Sequence, residues 1–253
     1  MPKQLLIYET AVPFNFARHG DVSLDAGINY DFSIGVNAAP LMAVELPHAA
    51  TEYAIVFTAN GQDVVPAAVL GIRRDQNLYL SPDARWQARY IPAFIRRYPF
   101  IFSASDDGKT LTLCVDETHP GINREGRGKR LFSDDRKPSA YTQQMLRFLQ
   151  DYQAQFERTR LFDRHLKELD LLETMQAEVT TPSGEKLSLT GFQAVFREKL
   201  RALDAEALAS LTRTDELELI YLHLYSMRNF SSVKDRFMGS LAAAEAVLGP
   251  AVG

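Results

Sequence analysis

The chain has 253 residues, of which 46% are hydrophobic and 24% are charged, and its formal net charge is −4 at pH 7. These values are typical of a globular protein that is long enough to bury a large core without disulfides or metals. The negative charge argues against nucleic-acid binding by the chain as a whole, because that requires lysine and arginine concentrated against phosphates.

No run of 18 apolar residues occurs, so we predict no membrane insertion. The first residues, "MPKQLLIYETAVPFNF", lack the long apolar core of a secretory signal, and we therefore expect a cytoplasmic protein. The single cysteine, Cys114, lies in the apolar run "LTLCVDE". Its position within a strand pattern predicts a buried structural thiol rather than a nucleophile.

The first third of the chain predicts short strands and a hairpin. "DVSLD" and "YDFSIGV" alternate as strands do, and "APLMAVELPHAA" has the spacing of a short helix. In "EYAIVFTANGQDVVPAAVLGI" two apolar runs flank Asn60-Gly61, which predicts a tight hairpin turn.

The segment "QARYIPAFIRRYPFIFSAS" predicts a helix that leads into a strand. Its apolar positions repeat at helical spacing, and Pro92 fits a first turn. Pro99 is expected to end the helix. We expect Arg96 and Arg97 to point away from the apolar face or to lie at its rim. A second hairpin then pairs residues 100–103 with residues 111–115 around Asp106-Asp107-Gly108.

The second half predicts mainly helices. Residues 121–138 are rich in glycine and basic residues and are predicted to be a loop or linker. Three-four spacing from Met145 to Leu169 predicts one long helix, or two with a break near Thr159. A hairpin is predicted at 176–190, turning at Pro182-Ser183-Gly184, and further helices follow.

Those helices have recognisable starts. Asp204 is expected to be the N-cap of the first, and Thr214 or Asp215 of the second, which has Leu217, Ile220, Tyr221 and Leu224 on one side. The chain should end in a helix that frays after Gly249.

Together these elements predict an α+β protein. We expect a β-rich α+β region at 1–120, the linker at 121–138, and a mainly helical region at 139–253 that contains the hairpin. The alternative is that the two regions form one composite domain. The aromatic residues of the helix-to-strand corner and of the long helix are expected to lie in the core: Phe94, Tyr98, Phe100, Phe102, Tyr152 and Phe156.

Several stretches resemble the bacterial SapC family: "VNAAPLMAVELPHAATEYAIVF", "GIRRDQNLYL", "ARWQARYIPAFIRRYPFIFS", "LCVDETHP" and "LIYLHLYSMRN". The resemblance runs from about residue 5 to residue 240. It implies a link to surface layers of bacterial cells, and to pathways whose neighbouring proteins resemble flavin-dependent halogenases, cupins and outer-membrane receptors. The peptide-transport label of some members fits poorly here, because a permease needs membrane spans. The resemblance supplies no catalytic residues.

Two segments are candidate metal ligands. His19 and Asp21 have the H-x-D spacing of a facial triad, for which His119, His165 or His223 would be the third ligand. Asp116, Glu117 and His119 follow a predicted strand and are suited to acid–base or metal chemistry. The alternative for both segments is a turn whose polar side chains cap the backbone.

Two arginine pairs, Arg73-Arg74 and Arg96-Arg97, are candidate ligand-binding residues. If the pairs are neighbours, their guanidinium groups can bind a carboxylate or phosphate bidentately. Trp86 and Tyr90 are expected to add apolar contact, a composition common at binding hot spots. The alternative is two solvated faces with ion pairs to nearby aspartates.

The common nucleotide-binding and hydrolase motifs are absent. The leading hypothesis is therefore a non-enzymatic accessory protein that binds a peptide or protein of a cell-surface or modification pathway, without a cofactor. A metal-dependent enzyme and a structural component of a surface assembly are the alternatives.

Overall fold

A computed structural model describes residues 7–248 except positions 28, 62, 106 and 182. The helices of the described residues are α1 (Phe16–His19), α2 (Leu46–Ala49), α3 (Ala93–Arg96), α4 (Ala140–Glu168), α5 (Arg197–Ala202), α6 (Ala205–Arg213), α7 (Glu216–Ser226) and α8 (Phe230–Leu248). The strands are β1 (Ala11–Pro13), β2 (Ser23–Leu24), β3 (Ala38–Pro40), β4 (Ile55–Asn60), β5 (Asp63–Val69), β6 (Phe100–Ala104), β7 (Leu111–Asp116), β8 (Ile122–Asn123), β9 (Lys129–Arg130), β10 (Leu172–Thr180) and β11 (Lys186–Val195). The predicted α+β class is confirmed.

The largest sheet has five antiparallel strands in the order β10-β11-β4-β5-β3. Two of the predicted hairpins, β4–β5 and β10–β11, supply four of its strands, and β3 adds the fifth. The second hairpin is longer than predicted. The hairpins join where Phe192 pairs with Thr58 and Gln193 with Phe57. Strands from both sides of the segment 121–138 therefore share one sheet.

Both faces of this sheet are covered. Along β4, Ile55 and Phe57 contribute to the main core, which includes Phe162 of α4 and Ile220 of α7. Val56 points to the opposite face, where it belongs to a second cluster with residues of α8. The strand alternates between two apolar layers, which explains its nearly continuous apolar sequence.

The segment 121–138 was predicted to be a loop or linker, but it contains two short strands. It contributes β8 and β9, which pair on either side of β2 in a small sheet. Leu131 and Phe132 are buried in a third apolar cluster with Phe100. Gly121 permits the close approach of this segment, because a Cβ there would lie 1.9 Å from the Asp25 carbonyl oxygen.

Helix α4 is continuous, so the break near Thr159 does not occur. The helix begins after Ser139, whose side chain accepts a hydrogen bond from the Thr142 N–H. The Thr159 hydroxyl donates to the Gln155 carbonyl at 2.7 Å and accepts from the Ala43 N–H at 2.8 Å. A residue with low helix propensity thus ties the helix to the segment that precedes α2.

The helix-to-strand corner is shorter than predicted. Helix α3 covers only Ala93–Arg96, and Pro92 occupies its N-cap position rather than its first turn. Tyr90 and Ile91 precede the helix, because the residue before a proline is pushed towards extended backbone. Strands β6 and β7 form the predicted second hairpin, and β1 adds a third strand to them.

Other local predictions have mixed outcomes. Residues 31–33 form a 3-10 turn instead of a strand, held by the Ser33 hydroxyl, which donates to the Tyr30 carbonyl at 2.7 Å. Asp204 caps α6 as predicted. In α7 Ile220 is fully buried, whereas Tyr221 is 50% exposed.

Asp215 precedes α7 without a side-chain capping bond. Cys114 is buried, as predicted, and burial raises the pKa of its thiol. None of the helices in the described part of the chain has an apolar stretch of the length that a membrane span requires. The predicted fraying after Gly249 lies outside the described residues.

Candidate ligand-binding site

Four of the six candidate binding residues lie within residues 86–97, just before, in and just after α3: Trp86, Tyr90, Arg96 and Arg97. The carboxylates of Glu45 and Glu52 accept hydrogen bonds from backbone N–H groups of residues 89–93. Glu45 accepts hydrogen bonds from the Tyr90 hydroxyl and from the N–H of Ala93, both at 2.7 Å. It also reaches back to the Met42 N–H, at 2.7 Å. These three donors satisfy a carboxyl group that is only 3% exposed, and burial raises its pKa although the hydrogen bonds oppose that shift.

Glu52 holds the residues just before this point. Its carboxylate accepts from the Arg89 N–H at 2.7 Å and from the Tyr90 N–H at 3.0 Å. The Tyr53 hydroxyl donates to the Tyr90 carbonyl and accepts from the Trp86 indole N–H, the latter at 2.8 Å. Burial raises the pKa of Tyr53. The loop that presents Trp86 and Tyr90 is therefore held by side chains at several points.

Arg96 lies on the surface of this corner. Its guanidinium stacks near the rings of Tyr90, at 5.7 Å, and Phe148 of α4, at 5.1 Å. Its Nε donates to the Ile91 carbonyl at 2.9 Å. The imidazole ring of His48 stacks on the Tyr90 ring, with the two ring centroids 5.5 Å apart. We call the group His48, Tyr90, Arg96 and Phe148 the Arg96 surface.

Arg97 neither points away from the apolar face nor lies at its rim, as was predicted for both arginines. It is only 4% exposed. Its guanidinium carbon lies 4.6 Å from the Phe94 ring centroid, 4.7 Å from that of Tyr152 and 5.7 Å from that of Tyr8. Short helix α3 places Arg96 and Arg97 about 100° apart around its axis, and so one faces solvent while the other faces the core.

The other arginine pair contacts a different part of the molecule. Arg73 lies 3.5 Å from Glu185 at the end of the β10–β11 hairpin and 5.2 Å from the Phe237 ring of α8. Arg74 is exposed. Among the described residues, no hydrogen bond, ion pair or ring contact joins either residue to Arg96 or Arg97.

The predicted metal ligands are only partly brought together. His19 is fully buried, and its Nε2 lies 3.2 Å from Glu117, which also accepts two hydrogen bonds from Arg18. Those bonds lower the pKa of Glu117. Asp21, in contrast, pairs with Arg124 on the surface.

The remaining polar groups of that region bind backbone. Asp116 accepts from the N–H groups of Glu9, Thr10 and Thr118. The His119 Nδ1 accepts from the Gly121 N–H at 2.8 Å, and burial lowers the pKa of this imidazole. The described part of the chain contains no group of three or more His, Cys, Asp or Glu side chains placed to hold a metal ion. The hydrogen bonds of Asp116 and His119 to backbone N–H groups are those expected of the turn-and-cap alternative.

The other two candidate third ligands are also engaged elsewhere. His165 pairs with Glu216 at 2.9 Å. The His223 Nε2 accepts from the Val195 N–H at 3.0 Å, and burial lowers the pKa of His223 to about 4.

Comparison with models of known protein families identifies the family of this chain. The SapC family model matches residues 14–233. The chain belongs to the SapC family. No curated protein and no solved structure matches it. Glu45, Glu52, Trp86 and Arg96 all lie within the matched residues of this SapC-family chain.

Sequence reasoning missed Glu45, His48, Glu52 and Phe148. Glu45 has one local signal, since it stands three residues after Met42, where an acidic side chain often bonds back to the start of a helical turn. Its contacts to Tyr90 and Ala93 have no local signal, because they join segments about 45 residues apart.

Proposed function

We propose that this SapC-family protein is a non-enzymatic binding or accessory protein, and that the Arg96 surface engages a peptide or protein partner. The observation that carries the proposal is an arginine held between two aromatic rings on a rigid, solvent-exposed corner. Arginine and tyrosine are enriched among residues that dominate binding energy. The pathway is proposed to be one of cell-surface assembly or modification, in keeping with the family.

Rigidity supports this role. The backbone of the corner is fixed by Glu45 and Glu52, so a partner meets a preformed surface and little conformational entropy is lost on binding. Arg96 is exposed, and beside the bond from its Nε to the Ile91 carbonyl its Nη2 makes only a long contact, 3.5 Å, to the Tyr90 hydroxyl. Its terminal nitrogens are suited to a carboxylate of the partner.

Site-specific photocrosslinking tests the proposal. A benzophenone amino acid replaces Phe148 in the protein expressed in its native host, and a second protein carries it at Leu161, which is 50% exposed on the same helix. We expect a protein adduct of defined mass from position 148 and none from position 161. Arg96→Glu should abolish the adduct, whereas Arg201→Glu, an equal change of charge on an exposed residue, should preserve it.

Three results would contradict the proposal. They are equal adducts from both positions, no adduct from position 148, or an adduct that Arg96→Glu leaves unchanged. A ladder of self-adducts would point instead to a structural component of an assembly.

A further inference from the structure

A cavity lies between the β10–β11 hairpin and α8, on the face of the five-stranded sheet that packs against α8. Its volume is about 210 Å³. The other lining residues, Glu178, Ser231 and Lys234, are exposed, so the cavity opens to solvent. Six apolar residues form the rest of its lining: Ile72, Ala177, Val179, Leu189, Phe230 and Val233.

The pairing of the hairpin explains why this space is open. Ala177 stands opposite Leu189 in the register, so one strand contributes only a methyl group at this point. Phe230 of α8 stacks instead on Phe192, with the two ring centroids 5.9 Å apart. Protein interiors contain few voids larger than one water, which takes up about 30 Å³. A cavity several times that size is more than packing ordinarily leaves.

The volume and the lining indicate the apolar part of a ligand. An apolar cavity of about 150 Å³ with leucine, isoleucine and phenylalanine walls stays dry and binds benzene. At about 210 Å³, the cavity beside α8 has room for a benzene-sized ring with a short substituent. Ligand sites commonly combine such apolar walls with a few polar groups that fix the orientation of the ligand.

Lys234 sets the charge that the mouth of the cavity favours. It stands four residues after Phe230 and three before Phe237, so these side chains share one side of α8. Within the described part of the chain, no hydrogen bond or ion pair engages the Lys234 ammonium. Lysine keeps its methylene stem on apolar surface and its ammonium in water, where an anion reaches it without a large desolvation cost.

Glu178 does not oppose this charge from inside the cavity. It lies between Ala177 and Val179, which both pack in the cluster that contains α8 residues. Successive residues of a strand face opposite sides of the sheet, so the Glu178 carboxylate is directed to the other face. Lys234 therefore supplies the charge at the mouth.

We propose that this cavity binds a small organic anion whose apolar part is about the size of a phenyl ring. The ring enters between the hairpin and α8, and the carboxylate or phosphate of the ligand pairs with Lys234. The site is separate from the Arg96 surface, because α4, which carries Phe148, packs on the opposite face of the sheet. The inference thus adds a small-molecule ligand to the proposed partner-binding function.

Titration of the wild-type protein, followed through methyl signals in carbon-13 NMR spectra, tests the inference. The probes are phenylacetate, its uncharged amide, benzylamine and phenyl phosphate. Phenylacetate should shift the methyl signals of Val179, Leu189 and Val233 to saturation, while those of Ile55 in the main core stay in place. The amide should bind more weakly, and benzylamine, a cation of similar size, most weakly. The tighter of the two anions identifies the ligand as a carboxylate or a phosphate monoester.

One pair of variants tests the cavity itself. Ala177→Leu fills the space and should abolish the methyl shifts caused by phenylacetate. Thr174→Leu, the matched control, adds the same side chain at an exposed position of β10 and should leave binding unchanged. If Ala177→Leu does not fold, Ala177→Val makes a smaller addition and should weaken binding.

A second pair tests the charge at the mouth. Lys234→Gln should weaken the binding of phenylacetate about twofold to fivefold, because the lost ion pair is solvent-exposed, and should leave the amide unaffected. Lys186→Gln removes an exposed lysine from the same hairpin and should change neither affinity.

Cavity methyl signals that no probe moves would overturn the inference, as would equal shifts in the wild type and Ala177→Leu. Equal binding of phenylacetate and benzylamine would overturn the assignment of an anion to this site. Crosslinking at position 148 does not involve the cavity, so the failure of either proposal is visible separately from that of the other.

Discussion

The hydroxyl of Tyr90 donates a 2.7 Å hydrogen bond to the carboxyl group of Glu45, which is 3% exposed. The same carboxyl oxygen accepts from the Ala93 N–H. This single acceptor therefore fixes both the ring that supports Arg96 and the start of the helix that carries it.

Glu45→Gln should destabilise the protein by about 1–3 kcal/mol, because the amide nitrogen cannot accept and one of the three donors is left buried without a partner. Glu52→Gln is the matched control, and it should cost less since water reaches that half-buried side chain. Urea denaturation of the three proteins measures the difference. Equal losses for the two variants would contradict the structural role assigned to Glu45.

Asp163 gives a prediction about pH. It is 2% exposed, and both carboxyl oxygens lack a hydrogen-bond partner among the described residues. Burial, with a smaller contribution from Asp63, raises its pKa to about 8. The folded state therefore holds a proton that the unfolded state releases from about pH 4 upward, so the free energy of unfolding falls as pH rises to about 8.

His223 acts in the opposite direction at lower pH. Burial lowers its pKa to about 4, so its contribution to stability is present above about pH 6.5 and lost as the pH falls towards 4. The two groups offset each other below about pH 6.5. Above that value the decline due to Asp163 should be visible, at up to about 1.4 kcal/mol per pH unit.

Asp163→Asn should remove this decline, since an amide does not titrate. Its unpaired N–H donors add a constant cost, so the quantity to compare is the slope of stability between about pH 6.5 and 8, measured by urea denaturation. Asp151→Asn, on the exposed side of the same helix, should retain the wild-type slope. A wild-type slope in Asp163→Asn would show that the carboxyl is ionised in the folded protein.

Phe100 tests the packing of the corner. It is fully buried and lies opposite Val115 in the β6–β7 hairpin. Phe100→Ala should cost about 3–5 kcal/mol through lost contacts and a residual cavity. Leu111→Ala on the neighbouring strand removes a side chain that is 42% exposed and should change stability far less. An unchanged thermal melt of Phe100→Ala would be incompatible with this packing.

His19 decides between structural and metal-binding roles for its segment. It is fully buried, stacked on Phe14 and bonded to Asn15 and Glu117. His19→Ala should lower stability by about 1–3 kcal/mol, because buried polar partners lose their bonds. Metal content of the untagged protein, measured by elemental mass spectrometry, should be the same in both proteins. Stoichiometric metal that disappears in the variant would restore the metal-dependent enzyme.

Local pattern was enough to predict the three hairpins and the long helix. Two apolar runs around a tight turn specify β4–β5, and three-four spacing specifies α4, because both signals arise between residues close in sequence. Local pattern did not predict the two short strands of the 121–138 segment. Its strands have two residues each and exist only because β2, about a hundred residues earlier, pairs with both.

The sequence by itself determined the fold class, the burial of Cys114 and the presence of an aromatic, basic corner. Tertiary structure decided what that corner does. Arg96 and Arg97 have the same side chain and adjacent positions, and their different environments come from α4, whose Phe148 and Tyr152 lie about fifty residues further along the chain. Burial and hydrogen bonding depend on contacts between distant segments, and these contacts left one arginine at the surface and the other in the core without an acceptor.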